Sequence, residues 1–411
     1  MSQQAKNFIS GIIGNVLDRY DMALYGLMAA FIAPNFFPND DQVVQLIKAY
    51  GIMAIGTFTR PIGALLFGKL AMNIGARKVM ILCLTGVALT TGAMGLIPSY
   101  AEMGISATVI FVLTRIIQGL FAAGENTVAP FFIIQNSPLE KATRTSGFYN
   151  CSTMFGVILA SVTAYFVSES SNPQYYWRYA FLAGFLTAIA GLYLRYFVLK
   201  SINEEELKPM PLQATLKVIF ANLPKLIRVI FVNSFSYVTY TIPFVFMNSF
   251  IPLVTNISLS EMLQLNSILL VLDTSLIPIF GIIAENFNRA KFMALMSGFV
   301  AISIIPLFYF LDGAGFLYVM FVRLVVIIAG LAYLAPLQAW YYELFNGRER
   351  YILVGVGYSI SEELLGKSST AICLALWHYF KTPVAPAFYV VFVGVCATIA
   401  LLTSKENSSS S

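Results

Sequence analysis

The chain is a succession of apolar runs, most of them longer than the roughly 20 helical residues that cross a bilayer, joined by short polar connections. Unsatisfied backbone groups are so costly in lipid that only helices or a closed barrel can span it. The runs are unbroken and do not alternate between apolar and polar residues, so they predict helices. Charged residues are 11% of the 411 positions, against about 25% in soluble proteins, which excludes a water-soluble fold. About twelve spans follow: 8–37, 43–72, 78–98, 106–135, 142–168, 178–199, 223–255, 262–285, 290–311, 315–345, 351–380 and 383–403.

The connections set the orientation. Alternate ones carry Arg77 and Lys78, Lys141 and Arg144, Lys200 and Lys208, Arg289 and Lys291, then Arg348 and Arg350, with Lys405 in the tail. The opposite set holds Asp40, Asp41, Glu102, Glu169, Glu261 and Asp312. Positive charge marks the cytoplasmic side, so both termini are expected inside, in a plasma membrane such as a bacterial inner membrane. The polar stretch 200–222, with Glu204 to Glu206 and two prolines, reads as a cytoplasmic linker. It separates an N-terminal half, 1–199, from a C-terminal half, 223–403, and the Ser-rich end, 404–411, reads as a disordered tail.

Other classes find little support. The net charge of +5 is spread over short loops and not gathered on a polar face, so no nucleic-acid partner is expected. The four cysteines, Cys83, Cys151, Cys373 and Cys396, lie inside apolar spans without metal-ligand spacing and read as filler. No nucleotide loop or Ser/His/Asp arrangement suggests an enzyme, and no metal or cofactor is implied. The first span is too long and too charged to be a cleavable leader.

Charges inside the spans carry the functional signal. They are Asp18, Arg19 and Asp21, then Arg60, Arg115, Glu125, Asp273 and Arg323, and lastly Glu362, Glu363 and Lys367. An ionisable group near the bilayer centre costs at least about 2.5–3.5 kcal/mol on insertion scales, so such groups mark solute or proton pathways. Glu363 and Lys367 are spaced for a pair within one helix. Guanidinium groups grip carboxylates with two parallel hydrogen bonds, so a substrate bearing a carboxylate, alone or with a cationic centre, suits this mixture. Span seven adds a polar cluster with Asn233, Tyr237 and Tyr240 that lines a cavity or bonds neighbouring helices. The sole histidine, His378, falls at the outer end of span eleven and is not read as the proton carrier.

The halves echo one another. Arg115 precedes Ala129-Pro130 and Arg144, as Arg323 precedes Ala335-Pro336 and Arg350. Phe67-Gly68 before Arg77 matches Phe280-Gly281 before Arg289. Parallel six-helix halves are a recurring transporter design, with the site near midplane.

Gly14-Asn15-Val16-Leu17-Asp18-Arg19-Tyr20-Asp21, Arg60-Pro61-Ile62-Gly63, Arg115-Ile116-Ile117-Gln118-Gly119 with Gly124-Glu125, and Tyr342-Glu343-Leu344-Phe345 with Arg350 resemble motifs of the major facilitator superfamily. Within it the likeness is to the metabolite:proton symporters, which include proline/betaine and 2-oxoglutarate carriers. The resemblance implies a major facilitator fold of two pseudo-symmetric halves and alternating access. It implies secondary active, proton-coupled symport of a small carboxylate-bearing or zwitterionic metabolite. The proton gradient would be the driving force and the monomer the working unit. A proton-independent exchanger or facilitator and a transporter-like solute sensor are the rival readings.

Burial favours a neutral carboxyl and a nearby guanidinium favours an ionised one. A moving arginine can therefore turn a conformational change into proton uptake or release. By the resemblance, Asp21 and Arg115 face one cavity, either as the coupling pair or as a static ion pair. Glu125 is either a second proton site or a partner of Arg60 or Arg19. The expected substrate contacts are Tyr20, Tyr25, Arg60, Arg115, Tyr237, Tyr240, Asp273 and Arg323. The expected gate comprises Asp18, Arg19, Gly68, Arg77, Glu285, Arg289, Glu343 and Arg350. Met72 stands where the family usually has a gate acid.

Overall fold

The computed structural model describes residues 3–38, 45, 48, 49, 51, 52, 55, 56, 58–135, 141–193, 212–345 and 349–404. Among them no strand occurs, and eight helices are long and apolar enough to cross a membrane. Helix contacts divide the chain into two units, Met1–Ser137 with Ser152–Leu216, and Pro138–Cys151 with Lys217–Ser411.

The first unit contains α1 (Gln3–Phe36), α2 (Arg60–Ile74), α3 (Ala76–Leu96), the short α4 (Tyr100–Met103) and α5 (Ile105–Gln135). It also holds the later part of α6 (Ala142–Ser168), and α7 (Pro173–Tyr193). Helix α1 is not among the eight apolar spans, because Asp18, Arg19 and Asp21 interrupt its run. Tyr20, Leu24, Tyr25, Met28, Ile32 and Phe36 recur at helical spacing and form one buried stripe. Phe36 stacks on Phe111 of α5 with ring centroids 4.3 Å apart, and Trp177 of α7 approaches the same ring of Phe36 at 6.4 Å.

In lipid no hydrophobic drive pulls helices together, so close van der Waals packing at small residues must hold them. Gly63 of α2 shows how close: a Cβ there would sit 2.5 Å from the Leu120 carbonyl oxygen and 2.9 Å from the Leu120 Cα. Backbone cannot move aside as a flexible side chain can. Arg178 of α7 donates to the carbonyls of Gly95 and Ile97, acceptors that the end of α3 leaves without intrahelical partners.

The second unit contains the start of α6 and a run of broken helices. Here α8 (Leu212–Ala221), whose last residues lie in this unit, leads to α9 (Leu223–Thr241), a π turn (Ile242–Phe246) and α10 (Met247–Val254). Then come α11 (Leu259–Ile283), a 3-10 turn (Ala284–Asn286), α12 (Arg289–Tyr309), α13 (Phe316–Leu334) and α14 (Leu337–Leu344). The chain ends with α15 (Arg350–Ser361), a second π turn (Glu362–Lys367), α16 (Ser369–Phe380) and α17 (Ala385–Leu402). At the start of α11, Ser258 and Glu261 form a capping box. The backbone N–H and hydroxyl of Ser258 hold the Glu261 carboxyl below the usual carboxylate range. The cap is therefore at full strength above that range and weakens as pH falls through it.

Several expected spans are not single regular helices or start at other residues. Span seven is not one α-helix, because Pro243 lacks a backbone donor and a π turn accommodates the break. Span ten breaks at Ala335-Pro336 into α13 and α14, and span eleven breaks at its own π turn. Span six begins at Pro173, where the Asn172 carbonyl accepts from the N–H groups of Tyr175 and Tyr176. Within the expected linker, residues 212–221 are helical. Residues 200–211 of the linker, the tail 405–411, and Asp40, Asp41, Lys200, Lys208, Arg348 and Lys405 lie outside the described residues. So do the side chains of Glu363 and Lys367, and with them the expected pair.

Gly63→Leu should prevent α2 from closing on α5. Fluorescence-detected size exclusion should show loss of the monodisperse peak, while Ile62→Leu, on a residue 64% exposed, should leave it intact.

Candidate functional site

In the first unit the charged face of α1 meets α2, α3, α5, α6 and α7. Asp18 and Glu125 are fully buried, and Asp21, Arg60 and Arg115 nearly so. Three acids, Asp18, Asp21 and Glu125, thus share this unit with three cations, Arg19, Arg60 and Arg115. Formal charge therefore balances among these six residues. That matters because an uncompensated buried charge costs several kcal/mol.

The contacts are specific. Arg19 donates to Asn126 of α5, and its Nε lies 4.0 Å from Asp18 Oδ2. Asn15 Nδ2 donates to the Ser152 and Thr153 hydroxyls of α6, at 2.7 and 3.0 Å. Arg115 lies over the Tyr25 ring, 4.3 Å from its centroid. Arg60 contacts Met22 Sδ at 3.9 Å and shares the electrostatic field of Arg115. Tyr20 and Tyr25 spend their hydroxyls on the Ala180 and Ala49 carbonyls.

Asp21 and Arg115 do not form a direct ion pair in this conformation. Arg115 donates to Gln118 one turn along α5, and Gln118 Nε2 donates to Thr91 Oγ1 at 2.7 Å. Both ends of the Gln118 amide are therefore engaged. Across from Thr91 is Gly184 of α7, where a Cβ would lie 3.2 Å from Thr91 Cγ2 and 3.1 Å from Asp21 Oδ1. That carboxylate oxygen is buried and accepts no hydrogen bond. Arginine, amide and hydroxyl form a relay that ends near this unsatisfied oxygen.

In the second unit, Asn233 of α9 donates to Ser361 of α15 and accepts from Tyr341 of α14 at 2.9 Å. Its side chain is a satisfied pin between helices. Tyr237 donates to the Tyr358 hydroxyl at 2.7 Å. A Cβ on Gly366, inside the second π turn, would fall 2.7 Å from Tyr237 Cβ. Tyr240 and Cys151 lie in the field of Asp273, and Asp273 is itself buried. Arg323, fully buried, donates to Asn266 and to the Met262 carbonyl of α11. Its hydrogen bonds join α13 to α11.

Among the expected gate residues, Arg289 pairs with Glu343 of α14, and its Nε donates to Thr143 Oγ1 of α6 at 2.7 Å. Gly147 of α6 crosses Gly281 of α11 so closely that a Cβ on Gly147 would lie 3.0 Å from the Gly281 Cα. Glu285 has one buried carboxylate oxygen without a partner. Arg350 sits 3.8 Å from the Tyr342 ring centroid. Gly68 and Met72 are buried in α2, and Arg77 lies in the first turn of α3. Met72 therefore contributes packing where an acid is the family habit.

The uncharged links escaped the sequence reading. Thr91, Asn126, Asn266 and Tyr358 complete these networks, yet as single polar residues in apolar runs they resemble ordinary filler. Gln118 alone carried a signal, standing three residues from Arg115 on the same helix face.

The sequence model of the Major Facilitator Superfamily matches residues 12–366. A putative proline/betaine transporter of Staphylococcus aureus strain MSSA476 is 24% identical, covering 96% of this chain and 87% of its own length. The proline/betaine transporter of Escherichia coli K12 is 25% identical, covering 98% and 84%. Among solved structures, the proton:xylose symporter XylE superposes with a TM-score of 0.73 at 16% identity, over 98% of this chain and 96% of that one. The human organic anion transporter MFSD10 gives 0.70 at 14% identity, over 98% and 100%. These superpositions bear on the fold, which is the twelve-helix fold that they share.

Two substitutions test the contacts. Gln118→Leu should leave Arg115 without its side-chain acceptor and destabilise the protein by about 1–3 kcal/mol, read as a lower unfolding temperature. A double-mutant cycle of Arg289→Gln and Glu343→Gln should give a coupling at or above about 1 kcal/mol, the upper end for exposed pairs.

Proposed function

Because the chain belongs to the Major Facilitator Superfamily, and is thus a multi-pass membrane transporter and not an enzyme, we propose that it is a proton-coupled symporter of a small carboxylate-bearing or zwitterionic metabolite. The observation that carries the reading is the buried Asp21 Oδ1, which accepts no hydrogen bond, near the Arg115–Gln118–Thr91 relay. An acid out of water and without a partner is stable when protonated and costly when ionised. It becomes a stable anion once a cation reaches it. Arg115, held by one amide and one ring face, is the cation of the same unit that can be released toward it.

Substrate class draws on the same chemistry. Arg60 and Arg115 share one field, and two guanidinium groups so placed favour a carboxylate ligand. Asp18, Asp21 and the faces of Tyr20 and Tyr25 supply acidic and aromatic surface suited to a cationic centre. The proline/betaine names of the two relatives support a zwitterion. We place the protein in a bacterial inner membrane as a monomer with both termini cytoplasmic, in keeping with the basic loops.

A proton-independent exchanger is the second reading, favoured by Met72 in place of the gate acid and by the missing Asp21–Arg115 contact. Uptake of labelled proline, betaine and simple carboxylates into proteoliposomes separates the two. An imposed inward proton gradient should drive accumulation of one of these solutes. Asp21→Asn should abolish that accumulation while sparing counterflow in preloaded vesicles. Uptake indifferent to both the gradient and Asp21→Asn would establish the exchanger.

A further inference from the structure

A groove of about 380 Å³ lies between α9 and α17, walled by Ile227, Phe231, Cys396 and Ile399, with Arg228 and Thr403 near one end. Away from Arg228, Phe231 meets Phe392 edge-on at 6.4 Å. Ile227, Ile399 and Phe392 are 44%, 56% and 53% exposed, so the groove opens on the outer surface of the second unit. It is separate from the buried network of Asn233, Tyr237 and Asp273.

Arg228 is unusual for a membrane-spanning helix. It is half-buried, and among the described residues it has neither an ion pair nor a hydrogen bond. Other arginines described in the spans have protein contacts, among them Arg19, Arg60, Arg115, Arg144, Arg178 and Arg323. Lys225, one turn earlier, lies over the Phe345 ring at 5.7 Å, and Lys217 is exposed, neither with an acidic partner among the described residues. Phe220 and Leu223, 70% and 43% exposed, continue the apolar face of Ile227 toward this cationic end. Basic groups at one end and an apolar trough at the other have the polarity of a phospholipid.

We propose that this groove binds an anionic phospholipid of the leaflet that faces the basic loops. The headgroup phosphate is held by Arg228, with Lys225 adding positive field, and one acyl chain lies along Phe231, Cys396 and Ile399. A guanidinium forms paired, charge-assisted bonds to phosphate oxygens, and near the membrane surface each basic residue adds about 1 kcal/mol of attraction to anionic lipid. Charge complementarity selects lipid over an apolar partner, which would leave Arg228 uncompensated. Binding does not depend on transport, so it stands apart from the proton-coupling proposal.

Native mass spectrometry of the full-length protein in detergent, offered equimolar phosphatidylglycerol and phosphatidylcholine, tests it. Wild type should retain phosphatidylglycerol in excess, on the order of tenfold. Arg228→Gln should abolish the preference, and Ile399→Trp, which fills the trough, should reduce total retained lipid. A second readout comes from thiols, since Cys396 is partly exposed while Cys83, Cys151 and Cys373 are buried. Phosphatidylglycerol should slow alkylation of Cys396 in wild type and not in Arg228→Gln. Equal retention of the two lipids by wild type, or an undiminished preference in Arg228→Gln, would overturn the proposal.

Discussion

Charge inside hydrocarbon must be neutralised locally, and the helices of this protein are arranged around that demand. Arg115 rests on the Tyr25 ring and on Gln118, Arg178 takes up carbonyls at the end of α3, and Arg323 is bound to α11. Each solution joins two helices that would otherwise have only dispersion forces between them. Asp21 is different, buried with an acceptor that no hydrogen bond uses, as is Glu285 among the gate residues. An unmet demand of that kind is where a proton or a moving cation acts.

The same economy shapes the backbone. Gly63 lets α2 approach the Leu120 carbonyl, and Gly147 and Gly281 let α6 cross α11. Where prolines or π turns interrupt α9, α13 and α15, side chains bridge the break. Asn248 donates to the Phe244 carbonyl at 2.7 Å, and Tyr389 donates to the Leu365 carbonyl at 2.6 Å. Freed backbone groups in a span are tolerable because such partners stand ready.

Much of the fold was legible in the residues, because run length and hydropathy respond directly to the bilayer. The charged members of the site were legible for the same reason: each violates the solvent's preference and so announces itself. Their pairing was not. Asp21 and Arg115 looked like partners, yet Gln118 intercepts the arginine, and Arg323 looked like a ligand contact, yet its donors serve Asn266 and a backbone carbonyl. The helix breaks at Pro243 and Pro336 could be located by residue type, but whether a proline bends a helix or ends it depends on its neighbours.

The sequence by itself determined a helical membrane protein and singled out the charges inside its apolar runs. Those follow from local rules: helix rise against bilayer thickness, and the cost of each ionisable group in lipid. Tertiary structure alone decided which charges meet, which glycines are pressed against backbone, and which arginine lines a groove between α9 and α17. Those outcomes depend on rotation and approach of helices far apart in sequence, and the order of residues along one helix does not encode what stands opposite it.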